Sequence, residues 1–307
     1  MQSIKLKVLT VFMSLVMAIS LFPALNSNAA GNSVKCGDNV YATLSGTTLT
    51  ISGTGPMYNY TAYYNAGDKS KRLVKTDAPW FGSRTGIEKI VIGDGVSKIG
   101  DNAFACMTYV KSVEFQSKGS LKAIGTQAFY DCWKITSLAL PYGLTSIGAN
   151  AFVWCYGITA VSLPGTLKTI GYGAFAYCEV LTRVYIPKSV TSIGDFAFKD
   201  NWKLVSVTGG AGLTSIGRQA FEYCSGLKTF KITSKKLSRI GSCCFYCCNS
   251  LKTIYIKKTT KLKKKKVKGS LYFSSVKKVK VKKSKVRKYK KFFTYRNCGK
   301  RGVKVRK

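Results

Sequence analysis

Histidine is absent from all 307 residues. That absence excludes Ser-His-Asp and Cys-His catalytic arrangements and every metal site that needs an imidazole. Carboxylates are scarce, twelve against fifty Lys and Arg, and none follows Glu222. Glycoside chemistry needs two carboxylates facing one bond, and no spacing here sets up such a pair. Asp101, Asp131, Asp195 and Asp200 stand instead at turn positions. The expectation is a protein that is not an enzyme and carries no cofactor. Long apolar runs are lacking too, apart from one near the start, Val8 to Leu25.

That run follows Lys5 and Lys7 and precedes the small residues Ser27, Ala29 and Ala30. A basic start, an apolar stretch and a small-residue site make an export signal, so residues 1–30 are expected to be removed. With no second apolar stretch, no transmembrane span is expected after removal. The opposite end has the reverse character. Residues 257–307 hold 24 Lys and Arg and no acid, and so supply +24 of the formal net charge of +38. Such a segment attracts polyanions of any kind. Export points to the anionic polymers of a cell envelope and argues against nucleic acid as a partner in vivo.

Between these ends one phrase recurs seven times: an aliphatic residue, two variable positions, Ile-Gly, two more, a small residue, then Phe. It begins with Val96, Ile99-Gly100 and Ala103-Phe104, and ends with Ile240-Gly241 and Cys244-Phe245. Successive isoleucines lie 25, 23, 23, 23, 23 and 24 residues apart. A period of that length marks a solenoid, whose units bury their apolar faces only by stacking on one another. In the copy from Ile158 to Cys178, Val161-Ser162-Leu163 alternates as a half-buried strand and Pro164-Gly165 turns the chain. Leu167 and Ile170 open a second short strand, and Ala174-Phe175 begins a short helical turn. The copy at Val207 replaces the usual apolar residue with Gly209-Gly210, which predicts a weak or bulged strand there.

Eleven cysteines in an exported chain would ordinarily suggest disulfides. Here Cys132, Cys155, Cys178, Cys224 and Cys248 each stand three residues after the repeat phenylalanine, and Asn201 takes that place in its own copy. The pattern predicts a buried structural ladder of small polar groups bonded to backbone at the turn. In the cluster Cys243-Cys244-x-x-Cys247-Cys248, two members are taken by repeat positions. The remaining pair is too little for a zinc site, and no metal is expected. Cys36, Cys106, Cys243, Cys247 and Cys298 have no assigned partner, and their disulfide state stays open.

The stretch Leu144 to Cys155, Leu-Thr-Ser-Ile-Gly-Ala-Asn-Ala-Phe-Val-Trp-Cys, resembles the leucine-rich repeat of BspA-type bacterial surface proteins. Cys36-Gly37-Asp38-Asn39-Val40, Leu49 to Gly55 and Ala78-Pro79-Trp80-Phe81 are similar to that family's amino-terminal cap. The resemblance implies cell-surface location, adhesion and protein–protein contact, and transfers no catalytic residue. The expected fold is an α/β repeat solenoid, with a parallel strand face, short second strands, short helical turns and an amino-terminal β-hairpin cap. Its expected parts are a signal peptide (1–30), a β cap (31–86), the leucine-rich-repeat solenoid (87–256) and a Lys-rich degenerate capping repeat with tail (257–307). In that last part Val279, Val281, Val303 and Val305 suit further strands, and Tyr289, Phe292 and Phe293 suit a short helix.

Contact is expected on the outward strand positions, where Tyr and Arg suit interface hot spots. The candidate partner-binding residues are Arg183, Tyr185, Lys231 and Tyr255. A second aromatic set, Trp133, Trp154, Tyr156, Tyr177, Trp202 and Tyr223, flanks the cysteine ladder. It either grips a sugar or protein or covers the edge of each coil. The expected function is a secreted or surface binding protein that contacts a host or bacterial surface protein or glycan. The alternative is an envelope spacer held to anionic wall polymer by residues 257–307.

Overall fold

The computed structural model describes residues 33–64, 73–256, 258–259 and 261–307; the expected signal peptide lies outside the described residues. From Ser137 onward the repeat coils each contribute one strand to a first sheet and, as far as Arg239–Ile240, a two-residue strand to a second. Eight parallel strands of the first sheet run from Ser137–Ala139 to Lys304–Arg306. The second ladder runs from Val96–Ile99 through the Ile-Gly strands to Arg239–Ile240. In both ladders the repeat aliphatics point inward. Leu138, Val184, Val207, Phe230, Ile254 and Val279 are buried from the first, and Ile147, Ile170, Ile193 and Ile216 from the second.

The amino-terminal end is closed by a hairpin. Strand Ser33–Ser45 pairs antiparallel with Thr48–Met57. The second of these joins two runs of strands within the eleven-stranded sheet: Thr48–Ile51 pairs parallel with Lys89–Ile92, which pairs on to Ser112–Phe115, and Gly55-Pro56 pairs with Val96 and Lys98. It serves as a coil that precedes the first repeat, and the outer strand covers its edge. The small hairpin of Ala62–Tyr64 with Leu73–Thr76 lies elsewhere, against the turn side of the first coils. There Leu73 and Phe81 join Ala105, Tyr130, Val153 and Ala176 in a separate small apolar cluster.

The third side of each coil is a run of i→i+3 turns. Examples are Ala105 N–H to Asn102 O, Val153 N–H to Asn150 O and Ala176 N–H to Gly173 O. Two residues per coil take left-handed φ here, such as Asn150 and Trp154 at 53° and 61°. Between them, alternate amides turn toward the next coil. Asn150, Phe152 and Trp154 donate to Tyr172, Ala174 and Ala176 carbonyls. A backbone that would otherwise be left unpaired at a turn is thus satisfied coil to coil.

The repeat phenylalanines stack through the centre. From Trp80 the series runs Phe104, Phe129, Phe152, Phe175, Phe198, Phe221 and Phe245, with centroids 5.2–6.0 Å apart. Trp80 starts the stack fully buried, and its Nε1 donates to the Ala103 carbonyl at 2.8 Å.

The expected weak strand at Val207 is not found. Ser206–Gly209 pairs in full register with Arg183–Ile186 and with Thr229–Ile232. Gly209 has φ of 97° and lies where a Cβ would sit 2.3 Å from the Ile186 carbonyl oxygen. Its lack of a side chain therefore permits the pairing instead of weakening it.

The carboxy-terminal segment continues the coil. Lys278–Lys280 pairs parallel with Thr253–Tyr255, and Lys304–Arg306 with Lys278–Lys280. Short helices Val286–Lys290 and Tyr295–Cys298 connect the last two rungs. Val279, Val281, Tyr289, Phe292, Phe293 and Val305 are buried, so these coils extend the same core. Among the described residues, no helix is long and apolar enough to cross a membrane.

Candidate functional site: the outward strand rows

The ladder positions are committed to the core and so are not free for function. Sγ of Cys132, Cys155, Cys178, Cys224 and Cys248 lies 3.0–3.3 Å from the carbonyls of Phe104, Phe129, Phe152, Phe198 and Phe221. Each thiol therefore donates to the phenylalanine one coil back. Asn201 Nδ2 donates to the Phe175 carbonyl at 2.9 Å in the same way. Met107, three residues after Phe104, has no donor to offer. Ser274 Oγ instead donates to the Leu271 carbonyl within its own coil, at 2.9 Å.

All eleven cysteines are free thiols. Burial raises the thiol pKa throughout the ladder, and that of Cys36 to about 12. Thiolate formation, and hence reactivity, is suppressed. Only Cys243 and Cys247 are half-buried; Cys106 is 7 % exposed and the others are buried. A thiol reagent at neutral pH should therefore label those two in the native protein and all eleven after denaturation. Rapid native labelling of more than two would refute the packing described here.

Carboxylates, too, are used structurally. Asp101 Oδ1 accepts from the Thr126 amide at 2.9 Å, and Asp195 Oδ1 from the Arg218 amide at 2.6 Å. Each links one coil to the next. Lys199 lies 3.0 Å from Glu222 and 3.8 Å from Asp200, and desolvation holds Asp200 above the usual aspartate range.

The aromatic set beside the ladder divides in two. Trp154 packs between Tyr130 and Tyr177, with centroids 5.0 and 6.0 Å away, and Tyr223 lies edge-on to Tyr246. Tyr156 is half-buried. Trp133 and Trp202, about half exposed, face outward.

The four candidate strand residues fall into two rows fixed by the pairing register. One row runs Tyr185, Thr208, Lys231, Tyr255, Lys280 and Arg306. Its neighbour begins Arg183, Ser206, Thr229, and continues in the carboxy-terminal coils with Lys278 and Lys304. Arg183, Tyr185 and Lys231 are exposed, Tyr185 by 66 %, whereas Tyr255 is half-buried. Lys231 and Tyr255 border an open depression of about 490 Å³ with Thr229, Ile232, Thr233 and Lys258. A gap of one coil, carrying only Ser206 and Thr208, separates this pair from Arg183 and Tyr185.

Lys278, Lys280, Lys304 and Arg306 belong to these same rows, which the sequence reading did not connect. The signal was the alternation Lys278-Val279-Lys280 and Lys304-Val305-Arg306. Only the register shows that these cations extend the row of Tyr185. At the other end the face is bland, since Ser137, Ala139, Ala160 and Ser162 are uncharged. One coil boundary earlier, Lys89 and Glu114 neutralise each other at 2.7 Å.

A stacked parallel strand face, with short second strands and a cysteine ladder, defines a leucine-rich-repeat solenoid. The model for the BspA type leucine rich repeat region matches in six copies over residues 77–204 and 170–299, and the chain belongs to that family. None of the curated protein sequences matches. Among solved structures, the T. pallidum leucine rich repeat protein is similar at 24% identity and a TM-score of 0.51, covering 67% of this chain and 83% of its own. A leucine rich cell surface protein from Faecalibacterium prausnitzii matches at 18% identity and a TM-score of 0.30, covering 91% of this chain and 95% of its own. The pneumococcal vaccine antigen PcpA matches at 17% identity and a TM-score of 0.32, covering 83% and 88%.

Proposed function

We propose that this is an exported surface binding protein that engages a protein on a host or bacterial surface through its strand face. The observation that carries this reading is the placement of Arg183, Tyr185, Lys231 and Tyr255 in two adjacent outward rows on one rigid sheet. Tyrosine supplies contact area at small entropic cost, arginine supplies directed hydrogen bonds, and the rigid sheet adds no ordering cost of its own. The apolar run behind Lys5 and Lys7 supports export. Purified protein should retain a partner from host-matrix, mucin or bacterial-surface fractions. A variant carrying Arg183→Ala, Tyr185→Ala, Lys231→Ala and Tyr255→Ala should lose that capture by tenfold or more. Undiminished capture by the variant would sink the strand-face reading.

A second reading is favoured by a separate observation, the absence of any acid after Glu222. In it the solenoid is a spacer, and residues 257–307 hold it to anionic wall polymer. The two readings compete for Lys231 and Tyr255, and a tethered protein still presents the Arg183 and Tyr185 end of its face.

A further inference from the structure

The second reading names a segment; the pairing register names a surface within the fold. Five cations stand on the outward positions of the last four strands: Lys231, then Lys278 and Lys280, then Lys304 and Arg306. Their spacing follows the rungs, which repeat about every 4.8 Å in a sheet. Lys278 and Lys304 are one rung apart, as are Lys280 and Arg306, while Lys231 lies two rungs from Lys280. These separations are about 5 and 10 Å, the first within and the second just beyond the screening length of about 8 Å at physiological salt. Ion pairs among the described residues involve no acid beyond Glu222, and the sequence holds none.

We propose that these rows are the seat of a linear polyanion laid along the solenoid axis, across the strands from Thr229 to Arg306. The proposal rests on the envelope-tethering reading and specifies its site. A bed of four lysines and an arginine in register suits a flexible polymer whose charges repeat every 5–10 Å or so. It suits a folded protein poorly, because lysine is depleted from the cores of protein interfaces. Tyr255, in the row between Lys231 and Lys280, adds a ring against which a polymer backbone can rest.

A competing basic surface exists. Arg239, Lys265, Lys266 and Lys268 surround an open groove of about 750 Å³ with Tyr272. It forms where the second ladder ends at Arg239–Ile240 and the next coil offers the 3-10 helix Lys264–Val267 in place of a strand. Its four charges belong to one coil boundary and do not repeat, so a long polymer gains less there. The groove therefore supplies a charge-matched control.

The test uses the full chain with two probes, long-chain polyphosphate and poly-glutamate, which separate phosphate from carboxylate sources. The row variant carries Lys231→Gln, Lys278→Gln, Lys280→Gln and Arg306→Gln. The control carries Arg239→Gln, Lys265→Gln, Lys266→Gln and Lys268→Gln. The row variant should bind at least one probe tenfold more weakly than the control does, and lose more of the salt dependence. Hydrogen exchange on the unsubstituted protein gives a second readout that needs no variant. Added polymer should protect 229–232, 253–255, 278–280 and 304–306 more than 264–268. Equal weakening by both variants, or protection centred on 264–268, would overturn the site and leave tethering intact. No binding of either probe would defeat both, and retention of a folded acidic protein with no polymer binding would do the same.

Discussion

Gly171→Ala is expected to destabilise the protein by about 3 kcal/mol, the upper end of what overpacking ordinarily costs. A Cβ on Gly171 would sit 2.6 Å from the Gly148 oxygen and 2.7 Å from both the Gly148 carbonyl carbon and the Ile147 oxygen. All three are main chain of the preceding coil, so no side chain can swing aside. Relief requires parting the two coils, against the Gly171 amide bond to the Ile147 carbonyl and the pairing of Thr169-Ile170 with Ser146-Ile147. The φ of Gly171 is not in the left-handed region, so the cost is steric and owes nothing to backbone preference. Gly165 is the control. A Cβ there meets nothing within 4 Å, and Gly165→Ala should stay within about 0.5 kcal/mol. Denaturation midpoints for the two variants decide the matter; equal midpoints would refute the close-approach argument.

Removal of residues 257–307 should have the largest effect of all. The last coils bury Ile254, Ile256, Leu251 and Phe245 on one side and Val267, Leu271, Val276 and Tyr289 on their own. Full burial of such a side chain is worth about 1.5–3 kcal/mol. Uncovering several at once rivals the whole net stability of a domain, about 5–15 kcal/mol. A solenoid has no other way to cover its end than a terminal unit with a polar outer face. The truncated protein should therefore show a much lower melting temperature and aggregate at concentrations the full chain tolerates. A truncated chain that stays monomeric, melts like the full chain and appears in the culture medium would reverse this expectation. It would assign the segment to tethering alone.

These two sites differ in how readable they were. The Ile-Gly pair is plain in the sequence, and a tight bend is the natural explanation for its glycine. The structure gives a different reason: five glycines in register, Gly148, Gly171, Gly194, Gly217 and Gly241, each lie on the backbone of the coil before. Contact between coils has no signature in any single copy. The cysteine ladder was legible in part, because its period placed it in the core. The identity of its acceptor, the phenylalanine carbonyl one coil back, needed coordinates. Gly209 misled for the same reason, since what it approaches is the Ile186 carbonyl of the preceding coil.

The candidate surface shows a sharper division. Alternation in Arg183-Val184-Tyr185 and Lys278-Val279-Lys280 says which side chains face outward, because the strand period of two is local. Whether Tyr185 and Arg306 share a row depends on the register of six strands spread over more than 120 residues. That is decided by inter-coil hydrogen bonds.

From its own order of residues the chain determined a solenoid, its period, its inward faces, its lack of histidine chemistry and an acid-free carboxy-terminal end. Each of these is a property of composition or of short-range periodicity. Only the tertiary structure decided that Thr48–Met57 acts as a starting coil for the strands at Lys89–Ile92 and Val96–Ile99, and that the cations of the lysine-rich segment continue the candidate rows. Those outcomes rest on backbone pairing between residues far apart in sequence, where local pattern carries no register.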